Sequence, residues 1–567
     1  MPEDVKQMPQ QGQGPAASTR HDDARDLRER GAAMAHGRAP HDHDYEADPA
    51  PDDLATWRFT KGLTGRDSEG VLDPDRYRTF AAMLRDLRTG MVFGQATGRI
   101  AWGGPQASPY QHVETVLGGL AGGRKMVNPL AGMAFDLQGA DAHDFSIPQP
   151  PGHTAGSVAE RDWEMAELYW MAHLRDVPFT AWDNSVEIMR AAQALEHPSK
   201  PPTVCTTLTS RSLFRGLTGG DHAGPYISQF LLRDIPYGTL DIQQRNRAAP
   251  RGKDYMTDWQ SWLDVQNGTD VYPGYKALNE RRYLSCLRDL ATYVHFDQLY
   301  EAYLNAALIM VSNPNEFPLK PGLGYGAADK QQGFGTLGGP HILSLVTEIA
   351  TRALKAVWFQ KWYVHRRMRP EEFGGRIYAQ IHKGRNFGIS ITGPLEAALE
   401  PFDGRELLPM AFPEGSPTHP AYGAGHATVA GACVTILKAF FAEDQPIQNA
   451  VQANALGDAL EPYLGGDLLA MTVGGELNKL AANISIGRNA AGVHWRSDYT
   501  ESIILGERIA LTVLQEQSLC LAETGAAFSL TLYDGTPITI ENGDILAGGQ
   551  PYEIQRVRTT FGAPCTA

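Results

Sequence analysis

The sequence predicts an all-α protein with one small C-terminal β-hairpin. Three observations lead there. Apolar residues recur at spacings of three and four through most of the chain, Pro- and Gly-rich connectors separate the recurring segments, and the period changes to two near the end.

The elements follow in order. Asp75–Arg88, Ser157–Leu174, Val186–Leu195 and Tyr275–Met310 each gather apolar side chains on one helical face. The connector Ser312–Pro340 ends in Gly338-Gly339-Pro340, which puts proline at the natural first position of the next helix, His341 to about Arg366. Its stripe Ile342, Val346, Ile349, Ala353, Val357 continues by four to Lys361. A lysine at the buried end of such a stripe must find a counter-charge or lose its proton, because desolvation penalises the ammonium. Val364–Glu371 beyond it is a dense cationic patch ended by Pro370. Ala427–Phe441 and Leu468–Ile486 read as further helices and Asp498–Ala522 as the last, before Ser529–Glu541 alternates around Asp534-Gly535 as a hairpin.

Bulk properties narrow the function. A chain of 567 residues with a hydrophobic fraction of 42% can bury a large core. The division expected is a flexible or subunit-wrapping arm over 1–54, a helical region over 55–311 and a C-terminal catalytic region over 312–567. The net charge of −15, from 65 acidic and 50 basic residues, argues against general nucleic-acid binding, so any cationic cluster is a local device. No apolar h-region opens the chain and no run of 18 apolar residues occurs in it, so a soluble, cytoplasmic protein without membrane contact is expected. The five cysteines are odd in number, widely spaced and without a CxxC pair, which supports neither structural zinc nor a disulfide framework. His36, His41 and His43, in a polar aperiodic tail, read as solvated rather than metal-binding.

Chemistry concentrates in three places. His419–His426 is a Pro- and Gly-containing loop placed just before an apolar helix, so backbone N–H groups at Gly425 would point at an anion. Lys361, Arg369 and Arg488 supply the cations. His494 and Asp498 stand four apart, so the carboxylate can accept the imidazole Nδ1–H and leave Nε2 as a ligand or nucleophile. Arg488 precedes His494 by six residues, about 240° round an ideal helix, so a break is expected near Gly492. Together these residues form an oxyanion site.

At this point the sequence resembles the vanadium-dependent haloperoxidases, which share their site and helical fold with the class A acid phosphatases. The shared pattern is Lys361 … Arg369-Pro370, the Gly425-His426 loop, then Arg488, His494 and Asp498. The text is closest to the algal-type bromoperoxidases: Lys361 and Arg369 are eight apart, and Gly333–Thr336, Gly339–Leu343, Val364–Arg367, Leu437–Phe441 and Gly475–Leu480 are similar. His419, seven before His426, fits the bromoperoxidases, in which a histidine stands near the halide site. Two features depart from the pattern. Ala424 stands where the family has serine, which removes one hydroxyl hydrogen bond to the oxyanion. Pro321–Gln331 matches the algal calcium loop only in part, with Asp329 and Gln331 as oxygen donors.

The resemblance implies a helical-bundle haloperoxidase/acid-phosphatase-like core and a vanadate cofactor bound by His494 Nε2. Asp498 would orient that histidine, while Lys361, Arg369, Arg488 and the Gly425 N–H neutralise the vanadate oxygens. His426 would be the acid–base group toward hydrogen peroxide, Lys361 an electrostatic catalyst and His419 a halide neighbour. Bromide and iodide would be oxidised to hypohalous acid that halogenates small organic substrates. Calcium and a homo-oligomer, with the dodecamer of algal relatives as a guide, are further implications. The alternative is a phosphomonoesterase with His494 as nucleophile, because phosphate and vanadate are near isosteres.

Overall fold

The computed structural model describes residues 19–38, 43, 45, 56–92, 95–96, 109–117, 123–272, 275, 277–325, 328 and 330–555. Two units divide at Ala39. The first contains helix α1 (Arg20–Gly37), capped by Thr19 and Asp22 in a reciprocal box and with no buried residue. A helix therefore occupies part of the expected arm.

Among the described residues, the second unit holds the helices α2 (Pro74–Thr89), α3 (Pro109–Leu117), α4 (Val158–Leu174), α5 (Val186–Leu195), α6 (Trp259–Gln266), α7 (Leu287–Phe296) and α8 (Glu301–Ser312). They continue with α9 (Gly339–Phe359), α10 (Pro370–His382), α11 (Pro394–Leu399), α12 (Gly425–Phe440), α13 (Val473–Ala490) and α14 (Arg496–Ser518). The all-α expectation holds, and α5 has the predicted bounds. The single segment Tyr275–Met310 is instead two helices, α7 and α8, because Asp297–Tyr300 breaks the helical path between them.

The core is built on α12, which packs against α9, α13 and α14. Its crossing with α14 is close because glycines face it from both sides. A Cβ on Gly431 would lie 2.0 Å from the Ile503 carbonyl oxygen, and one on Gly506 would lie 2.0 Å from that of Thr428. A larger residue at either would push the helices apart. This contact matters for function because α12 and α14 both begin at the site.

Two departures from regular helix also serve the site. After Phe359 the backbone widens into a π turn over Gln360–His365, closed by Arg366 N–H donating to the Lys361 carbonyl at 3.1 Å. Between α13 and α14, Gly492 takes φ +84°, the break expected there.

The predicted hairpin proves to be half of a four-stranded antiparallel sheet, Phe528–Thr531, Pro537–Glu541, Asp544–Ala547 and Gln550–Pro551. Asn542 and Gly543, both at positive φ, turn the second strand into the third. Cys205 is disulfide-bonded, which corrects the expectation of no such bond, while Cys286, Cys433 and Cys520 are free thiols. Among the described residues no helix is long and apolar enough to cross a membrane.

Candidate active site

The three motif regions converge on a cavity of about 280 Å³, lined in part by His419, Gly425, His426, Arg488 and His494. Lys361, carried on the π turn, is wholly buried and donates to the carbonyls of Pro420 and Ala421, both at 2.9 Å. Arg369 precedes α10 and is equally buried. It donates to the carbonyls of His419 and Val493, to His419 Nδ1 at 2.9 Å and to His494 Nε2 at 3.0 Å. Arg488, from the last turn of α13, gives one hydrogen bond to the Val294 carbonyl.

An arginine only donates, so its two contacts bear on the histidine tautomers. His494 Nε2 must offer a lone pair, and Nδ1 carries the proton to Asp498 Oδ2 at 2.7 Å. At His419 the shorter contact, Arg369 Nη2 to Nδ1 at 2.9 Å, favours a lone pair on Nδ1 and the proton on Nε2 over the opposite tautomer, in which Nδ1–H would donate to the Pro420 carbonyl at 3.2 Å.

Charge balance is the main electrostatic feature. Among the described residues none of Lys361, Arg369 and Arg488 has a carboxylate partner; their protein hydrogen bonds go to carbonyls and imidazoles. Burial and mutual repulsion hold the lysine well below its ordinary value. Burial brings Arg369 down to about 9 and Arg488 to about 10. Burial and the neighbouring cations likewise push His494 and His419 well below the usual imidazole range. Nε of Arg488 is buried and without a hydrogen-bond partner among the described residues. Three cations, an orphaned N–H and an imidazole lone pair that only Arg369 engages fit a tetrahedral oxyanion and suit no metal cation. Consistent with this, no group of three His, Cys, Asp or Glu residues able to hold a metal ion occurs among the described residues. Of the two calcium candidates, Asp329 lies outside the described residues and Gln331 is exposed.

Several groups that the sequence did not single out complete the site. Asp297, just after α7, places Oδ1 at 3.1 Å from His426 Nε2. Burial lowers the His426 pKa, and Asp297 opposes that shift. Behind His494, Asp498 Oδ1 accepts from Arg367 Nη1 at 2.9 Å; Arg367 Nη2 donates to Glu164 at 2.8 Å, and Glu164 also accepts from Ser497 N–H at 2.6 Å. Arg367 belongs to the cationic patch already evident in the sequence, but Glu164 and Asp297 lie too far away in the chain for any spacing to reveal them. Trp358 stands beside His419 with ring centres 4.8 Å apart, and its ring would crowd any Cβ at Gly425, 3.1 Å away.

Ala424 caps α12 without a side-chain hydrogen bond, and its N–H donates to Ser502 Oγ at 2.8 Å. The loop therefore keeps its backbone anchoring although the family's serine is absent.

A buried, cation-rich oxyanion pocket in a helical bundle defines a class shared by haloperoxidases and phosphatases. The comparisons with known proteins divide the two. Residues 342–521 match the family model for the VCPO second helical-bundle domain. The chain is 38% identical over 562 residues to the vanadium-dependent bromoperoxidase of Corallina pilulifera, covering 85% of this chain and 90% of that one. It is 30% identical to the enzyme of the same description from Ascophyllum nodosum, covering 73% and 77%. The homohexameric structure of the second vanadate-dependent bromoperoxidase (AnII) from Ascophyllum nodosum superposes with a TM-score of 0.83 at 26% identity, over 99% of both chains. The chain belongs to the vanadium-dependent bromoperoxidases.

Proposed function

We propose that this protein is a vanadate-dependent haloperoxidase that oxidises bromide, and iodide with it, using hydrogen peroxide, and releases hypohalous acid that halogenates small organic substrates. The observation that supports this best is the set of three buried cations, none with a carboxylate partner among the described residues, near the His494 Nε2 lone pair. Vanadate(V), when bound, supplies a Lewis-acid centre for peroxide activation without a change of oxidation state.

In this reading His494 Nε2 is the protein ligand and Asp498 holds its tautomer. Lys361, Arg369, Arg488 and the Gly425 N–H balance the oxyanion charge, with Lys361 also acting as electrostatic catalyst. His426 takes the peroxide proton and returns one to the leaving oxygen, with Asp297 aligning its ring. His419 presents its Nε2–H to halide. Within the three-part division, 312–567 holds most of these groups, 55–311 contributes Asp297, and 1–54 serves assembly. The proposed assembly is a homo-oligomer, a dodecamer by resemblance to algal enzymes. Calcium bound through Asp329 and Gln331 is a proposal that metal analysis of the purified protein tests.

One experiment separates this reading from the phosphatase alternative. The anion is stripped with chelator at low pH, vanadate or phosphate is added, and bromination is assayed beside aryl-phosphate hydrolysis. Vanadate-dependent bromination is expected; hydrolysis without bromination would overturn the reading.

A further inference from the structure

Besides the oxyanion groups, the cavity contains a second set of polar side chains that the halide reaction leaves unused. Glu414 is 3% exposed, and its Oε2 has no hydrogen-bond partner among the described residues. Its backbone is pinned by Lys61, whose ammonium donates to the Glu414 carbonyl at 2.7 Å and pairs with Glu371. Oε1 lies 3.3 Å from His295 Nε2, too poorly aligned for a hydrogen bond, and 4.0 Å from Arg124 Nη2. His295 is stacked on Phe412, ring centres 3.8 Å apart and planes within 16°. An acceptor this deeply buried and left unsatisfied is costly unless a ligand completes it.

The surroundings specify what kind of ligand. Val127, Val294, Leu299, Leu354, Trp358 and Phe412 give the cavity an apolar and aromatic wall. Its volume of about 280 Å³ exceeds the roughly 150 Å³ that suffices for a benzene ring. Glu414 also sits close enough to Arg488 to influence its charge, so the acceptor and oxyanion ends belong to one chamber.

We propose that Glu414, held between His295 and Arg124, is a subsite for the organic acceptor and selects planar, electron-rich molecules with an acidic O–H, namely phenols and enols. The inference rests on the haloperoxidase reading. The O–H donates to the Glu414 carboxylate while the ring lies against Phe412 and Trp358, which raises electron density on the ring and holds it beside the source of hypobromous acid. In the transfer the C–Br bond forms as the O–Br bond breaks with its electron pair on oxygen. The displaced ring proton joins that hydroxide as water, and the phenolic proton stays in its hydrogen bond to Glu414. Acceptors without the donor, such as anisole, meet only hypobromous acid that has left the cavity.

The test is a competition. Phenol and anisole are brominated together by the vanadate-loaded enzyme and, at the same pH, by reagent hypobromous acid. One hydrogen bond predicts a ratio shifted toward phenol by about three- to tenfold over the reagent. Glu414→Ala should return the ratio to the reagent value, and Glu414→Gln should keep part of the shift. Saturable binding of 4-fluorophenol to the wild-type protein, read by fluorine NMR and displaced by phenol but not by anisole, is expected independently of any variant. A wild-type ratio equal to that of the reagent, or a shift untouched in Glu414→Ala, overturns the proposal. Should Glu414→Ala fail to fold, the wild-type ratio and the binding measurement decide. Failure of the haloperoxidase reading looks different: the wild-type enzyme would then not oxidise bromide at all, and fluorophenol binding alone would judge the subsite.

Discussion

Asp297 Oδ1 lies 3.1 Å from His426 Nε2, across 129 residues of chain. Burial, with help from Arg488 and Lys361, lowers the pKa of that histidine, and Asp297 is the group that raises it. Asp297→Asn should therefore lower it further. The neutral imidazole then persists to more acidic pH, and the acidic limb of kcat/KM for peroxide moves down while the maximal rate falls. His426→Ala should cost about 10²–10⁴ in turnover. An acidic limb that does not move in Asp297→Asn would dissociate the two residues.

The chain Glu164–Arg367–Asp498–His494 predicts that vanadate affinity depends on residues that never touch the anion. Glu164→Gln should weaken vanadate binding by about 10- to 100-fold while leaving the helical content intact. His494→Ala should abolish it. Equilibrium dialysis of the folded variants checks both, and a Glu164→Gln protein with wild-type affinity would limit the relay to Asp498.

Ala424→Ser places a hydroxyl at the first turn of α12, where no side chain now caps the helix. A serine there should stabilise the apoprotein by about 0.5–2 kcal/mol and keep or tighten vanadate binding. Weaker binding in a protein of higher melting temperature would mean that the hydroxyl caps the helix at the expense of the anion.

Acid should unfold the stripped protein by a legible route. Burial holds His295 down to about 3, and His419 and His494 also lie well below 6.5. A base with a depressed folded pKa is protonated first in the unfolded chain. Stability is therefore full above about 6.5 and declines as pH falls, for His295 until about 3, by about 1.4 kcal/mol per pH unit for each histidine. Urea melts of His295→Gln should show a shallower decline than wild type. Vanadate or phosphate at 100 times its Kd should add about 2.7 kcal/mol; no stabilisation by either anion would contradict an oxyanion site.

How much of this was visible in the sequence depends on chain distance. His494 and Asp498 share a local geometry set by a spacing of four, and Lys361 ends an apolar stripe, so both were legible, as was the break at Gly492. Asp297, Glu414 and Arg124 reach the cavity, and Glu164 the groups behind His494, only through the packing of α4 and α7 onto α13 and of the loops around them, and no periodicity encodes such meetings. The third strand of the C-terminal sheet was announced by Asn542-Gly543, a turn signal as strong as Asp534-Gly535. The disulfide at Cys205 had no local signal.

The π turn after α9 imposes a rule about length. One extra residue in a helical turn rotates everything downstream by about 100° relative to a regular helix. Lys361, on that turn, meets the loop carbonyls, and beyond the left-handed Arg366 that ends it Arg367 and Arg369 reach the two ends of the His494 ring, one through Asp498 and one at Nε2. Residue identities between 361 and 369 can vary where side chains point away, but their number cannot. A single deletion upstream of Arg367 would bring Met368 and Pro370 to the places of the two arginines, and a single insertion Arg366 and Met368, so an indel here strips the site of Arg369 where many substitutions would not.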